Sequence, residues 1–84
     1  MNIYELSQSK SKGLDTYDSC VVIAKSPKDA RTIHPSRDLQ DQPWTGEGTG
    51  IMTWAKPEDV TVVHIGKASR GMKRGLVVSS FNAG

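Results

Sequence analysis

The sequence predicts a small α+β domain: a four-stranded, mainly antiparallel sheet with one short helix, in the order strand, strand, helix, strand, strand. Three observations lead there. Four short apolar runs, at 2–7, 19–24, 60–66 and 76–82, are rich in β-branched residues and bounded by turn formers. The segment Ser26-Pro27-Lys28-Asp29 carries a helix-start signature at each position. Finally, 84 residues form one domain near the lower size limit for independent folding, where about 60% of the unfolded surface is buried. A large internal ligand cavity inside one copy is therefore not expected.

The first strand, Asn2 to Ser7, alternates only weakly. Gln8 to Gly13 is a turn-rich connection, and Ser19 to Ala24 makes the second strand, antiparallel to the first. In the helix over 26–34, Ser26 is the N-cap, Pro27 takes the first helical position and Asp29 closes a capping box. Pro35 stops it, because proline disfavours helical geometry at His34 and donates no backbone bond. Ala30 and Ile33 share its buried face. Residues 36–53 show neither helical nor strand period, and Pro43, Gly46, Gly48 and Gly50 mark a loop long enough to be functional or mobile. The sequence TGEGTG within it is not a phosphate loop, since no strand precedes it and no lysine-bearing helix follows. Lys56 to Asp59 leads into the third strand, Val60 to Gly66, and Ser69 to Gly75 turns the chain into the fourth, Leu76 to Asn82. One short helix cannot cover both faces of four strands. A homodimer or larger homo-oligomer follows as the remedy.

Composition excludes several classes. The chain is 36% hydrophobic and 24% charged, outside the range of disordered sequences. No apolar run reaches the roughly 18 residues of a membrane span. Glu5 interrupts the place of a signal peptide's hydrophobic region. Cys20 is the one cysteine, reads as a buried thiol among valines, and fits a reducing, cytoplasmic setting. Net charge is only +2, yet residues 38–59 hold five acids against one lysine while 67–74 hold Lys67, Arg70, Lys73 and Arg74 without an acid. Such polarity suits an anionic ligand or self-association of opposite patches. Those four cations also read simply as the solvated charges of a turn.

Few residues point to chemistry. Asp15 to Ser19 reads as a structured turn in which Asp15 or Asp18 bonds nearby backbone; Tyr17 fits either a binding surface or a half-buried core. Arg31 and His34, three apart on the expected helix, could together hold a phosphate or carboxylate, or be a solvated Arg and a His satisfying the last carbonyls. His64 reads as a polar-face residue of its strand. Of the two indoles flanking the glycine-rich loop, Trp54 beside Ile51-Met52 reads as core and Trp44 beside Pro43 as an exposed stacking platform. Neither His34 nor His64 has a partner at metal spacing, and no cofactor is implied. No nucleophile, base and acid stand at a catalytic spacing, so a non-enzyme is expected.

Three stretches together resemble a widespread family of small uncharacterised phage and prophage proteins. They are Leu14 to Val22 (LDTYDSCVV, like YDTYDSAVV), Ala30 to Pro35 (ARTIHP) and the terminal Ser79 to Gly84 (SSFNAG). The likeness extends from Tyr4 to the last residue, with Cys20 standing where alanine is expected. It implies a setting in the host-cell cytoplasm and a role in counter-defence. Within that setting the residues suggest capture of a nucleotide immune signal without catalysis, in a pocket completed by a second copy. The candidate ligand set comprises Tyr17, Asp18, Ser19 and Arg31, with His34, Trp44, Arg70 and Asn82. The alternatives are a protein-binding inhibitor of a host defence complex such as a CRISPR effector, using the acidic loop or a sheet edge, and a nucleic-acid-binding module, which the small net charge disfavours.

Overall fold

The computed structural model describes residues 1–82. It holds a four-stranded antiparallel sheet and one short helix in the expected order: β1 (Asn2–Ser7), β2 (Thr16–Ala24), α1 (Pro27–Ala30), β3 (Thr61–Lys67) and β4 (Gly75–Asn82), with 3-10 turns at Arg37–Leu39 and Pro57–Asp59. Across the sheet the strands run β3-β1-β2-β4. Thus β3 and β4 are not a hairpin but the two edges. Residues 68–74 carry the chain past the ends of β1 and β2, tied by the Ala68 N–H to the Met1 carbonyl at 3.0 Å and by Arg74 to Asp29.

The ladder sets which side chains face the core. Leu6 lies opposite Cys20 and Val62, and Tyr4 opposite Val22 and His64, so one parity of each strand shares a face. On that face Tyr4, Leu6, Cys20, Val22 and Ala24 are buried. The other parity shows little cover: Val63, opposite Glu5, and Val78, opposite Val21, are exposed, though Ile23 is buried even here. Cys20 is inert as expected, its thiol pushed up to about 12 by burial.

The helix is shorter than the sequence suggested. The Ser26 hydroxyl accepts from the Asp29 N–H at 3.1 Å, but the Asp29 carboxylate reaches the Lys25 N–H rather than closing the box on Ser26. Beyond Ala30 the chain tightens: Thr32 and Ile33 donate to Asp29 and Ala30, and the Thr32 hydroxyl takes the Asp29 carbonyl as well. One turn cannot cover a sheet face. The 31–60 segment covers it instead, contributing Ile33, Trp44, Trp54, Ala55 and Val60 to the core.

The strand also begins earlier than expected. Asp15, at φ 62°, closes the turn that starts at Gly13, and Thr16, Tyr17 and Ser19 are already paired with β4. Asp18 is the extra residue of a bulge there, which lets Tyr17 and Cys20 look toward the same side.

Candidate functional site

The segment 36–53 has no regular element beyond one 3-10 turn, yet it is pinned at named points. The Gln40 amide donates to the His34 and Ser36 carbonyls at 2.6 and 2.7 Å, and its oxygen accepts from the Leu76 N–H of β4. Trp44 donates its N–H to Thr32 and its indole N–H to Ala55, both at 2.8 Å. The Tyr17 N–H reaches the Thr53 carbonyl at 2.9 Å, fastening the lobe to β2. Gly50 makes the close approach possible: at φ 98°, a Cβ there would stand 2.7 Å from both the His34 Nε2 and the Leu39 Cδ1.

At the junction of this lobe with the sheet lies a cleft of about 320 Å³ walled by Tyr17 and Phe81. Their rings are 4.8 Å apart, and Phe81 is 46% exposed. The Ser36, Thr49 and Thr53 hydroxyls and the Asp38 carboxylate stand round it, and among the described residues no basic side chain lines it. Leu39 and Thr49 separate it from a second cleft of about 360 Å³ bordered by His34, Gln42, Trp44, Thr45 and Glu47. Aromatic surface beside hydroxyls and one carboxylate suits a flat ring bearing hydrogen-bond donors.

The structure gathers only part of the expected set. Tyr17 is half-buried at the cleft, and its hydroxyl makes no hydrogen bond among the described residues. Asp18 is exposed on the bulge, and Ser19 sits in the ladder between Ser7 and Ser80. Asn82 is exposed at the end of β4, its amide donating to the Gly13 carbonyl at 2.8 Å. Arg70 is exposed in the 68–74 connection. Of its neighbours Arg74 is occupied, bonded to the Asp29 carboxylate and the Thr32 hydroxyl, which holds the Asp29 carboxyl below its usual range.

Three residues depart from the expectation. Because α1 ends at Ala30, the helical surface that would pair Arg31 with His34 does not form. Arg31 donates to the Val60 carbonyl at 3.3 Å instead. His34 turns inward, 1% exposed, with both ring nitrogens engaged and its pKa lowered mainly by burial. Trp44 is buried, not an exposed platform, because its indole N–H finds Ala55 and a small core needs its area. Trp54 is core, as expected. Phe81 escaped the sequence reading. The available signal was a lone phenylalanine in the polar run Ser79 to Asn82.

Among the described residues no three His, Cys, Asp or Glu side chains come together as a metal site. None of the described helices is long and apolar enough to cross a membrane. No protein-family model, curated protein or solved structure matches this chain.

Proposed function

We propose that the protein captures a phosphate-bearing nucleotide signal and releases it unaltered, as a phage-type counter-defence protein. The observation that carries this reading is the Tyr17–Phe81 cleft: a patch of two touching aromatic rings beside three hydroxyls and a carboxylate, where the Thr53 hydroxyl, 3.4 Å from the His34 Nε2, donates to the Gly50 carbonyl. A base stacks on the rings while Asp38 and the hydroxyls take sugar or base donors. At about 320 Å³ the cleft is at the small end for ligand sites, enough for a nucleoside rather than a whole dinucleotide. Phosphates then extend past its rim into solvent, and Arg37, whose guanidinium donates to the Val77 carbonyl at 3.5 Å, is the nearest cation along the chain to the lining residues Ser36 and Asp38. A second copy covers the open sheet face that carries Val63 and Val78, on the side of the sheet away from the cleft.

Calorimetry against linear and cyclic nucleotides and ADP-ribose derivatives tests this reading. Phe81→Ala should weaken binding by about 1–3 kcal/mol, roughly 5- to 150-fold, through lost stacking. Tyr17→Phe should change it little if the ring matters more than the hydroxyl. Binding of none of these compounds, with Phe81→Ala silent, sinks the proposal. The edge position of β3 supports a second reading, a protein-binding inhibitor that pairs a partner strand along that edge. Capture of a host defence protein, lost when β3 is disrupted by Val63→Pro, would favour it.

A further inference from the structure

His34 is the polar side chain on which the 36–53 lobe converges. The Ser36 N–H donates to its Nδ1 at 3.0 Å, which fixes the proton of the neutral ring on Nε2. That Nε2–H then donates to the Gly50 carbonyl at 3.1 Å, an oxygen that also accepts the Thr53 N–H and hydroxyl. The rings of Trp44, Tyr17 and Trp54 surround the imidazole at 4.8, 6.0 and 6.5 Å. No carboxylate is within ion-pair reach of it among the described residues: Glu47 borders the same cleft as His34, Asp38 lines the adjoining one, and Tyr17 is the titratable ring packed against it.

We infer that His34 is a proton-operated latch on this lobe, closed while the ring is neutral and released when it is charged. A second proton must go on Nδ1, where it meets the Ser36 N–H head-on, donor against donor. The charge would also stand in an aromatic enclosure without a counterion. The ring therefore charges by letting go of Ser36. Ser36 and Gly50 line the Tyr17–Phe81 cleft, so release dismantles one wall of it while leaving β1 and β2 paired.

The direction follows from linkage. The native ring has a lowered pKa, so the latch is intact above the ordinary histidine value near 6.5 and weakens as pH falls through the native value. In that window the open population grows by up to about tenfold per pH unit, since opening takes up one proton.

The test is a pH series of histidine ring and amide-exchange spectra on the full chain carrying His64→Asn, so that one imidazole remains. Below about pH 6.5 the Ser36 and Thr53 amides should lose protection together with the charging of His34, up to about tenfold per unit, while the Leu6 and Val22 amides keep theirs. Charging of His34 with both amides still protected overturns the latch. So does loss of their protection while the ring stays neutral. Ser36→Pro removes the opposing N–H at a residue whose φ of −79° suits proline. In that variant His34 should charge at higher pH and Thr53 protection should no longer follow it; unchanged behaviour also counts against the inference. Ligand release on acidification rests on the proposed nucleotide cleft. A chain that unlatches but binds no nucleotide refutes that function and keeps the latch. Equal nucleotide affinity at pH 7.5 and 5.5 refutes the latch and keeps the function.

Discussion

The sheet and the 36–53 lobe enclose one core from opposite sides, but they are held by different means. From Asn2 to Ser7 of β1 and from Ser19 to Ala24 of β2 the positions are fixed by the backbone ladder, and side chains need only alternate. The lobe depends on a handful of contacts made by single residues: Gln40, the Trp44 indole, His34 and the bare Cα of Gly50. A ladder spreads its stability over many equivalent bonds, whereas a pinned loop concentrates it. Substitutions in the lobe should therefore act like removal of a keystone, and those on the open sheet face should scarcely register in the monomer.

The largest effect is expected from Trp44→Ala. It removes a buried indole and orphans the Ala55 carbonyl, at a cost of about 3–5 kcal/mol, which is much of what so small a domain has. Urea denaturation should show the chain largely unfolded or its midpoint sharply lowered; a midpoint near that of the unaltered protein would mean that the lobe does not share the core. Gly50→Ala should follow, combining the strain of a positive φ with collision against His34 and Leu39, about 2–4 kcal/mol by the same measurement. A cost under about 0.5 kcal/mol, the range of a neutral surface change, would show that the approach to His34 is not tight.

Arg74→Ala should matter much less. The Asp29–Arg74 pair is partly exposed, so after screening it contributes at most about 0.5–1 kcal/mol, even with its added bond to Thr32. Asp29 has a lowered pKa, so that contribution is present above the ordinary carboxylate value near 3.9 and is lost as pH falls through the lower native value. The stability difference between variant and parent should shrink in acid, and a difference constant down to pH 2 would assign the loss to packing. Smallest is Val63→Thr on the open face, within about 0.5 kcal/mol for the monomer. Sedimentation should instead show weakened self-association if that face is covered by a second copy.

The same contrast explains what could be read from the chain. β-branched runs and their turn formers place all four strands within a few residues, because a strand's signal lies in its own sequence. The neighbours of β3 and β4 were not legible, since a seven-residue connection can close a hairpin or cross to the far edge. The helix was overextended because its start signals sit at Ser26 and Pro27, while its end is set by Thr32 bonding back to Asp29. Tyr17 was visible as an aromatic at a strand mouth. Its partners at the cleft come from 36–53 and from Phe81, brought there by contacts of long sequence separation that no period records. Trp44 was misplaced for the same reason: its burial depends on Ala55, eleven residues on.

The most direct test of capture without turnover is native mass spectrometry of the protein purified from cells in which a nucleotide-signalling defence system is active. The account predicts an oligomer of the 9.2 kDa chain carrying a small molecule that is recovered as intact nucleotide after heat denaturation. Bare 9.2 kDa monomer from those cells, or release of an altered nucleotide, would contradict it.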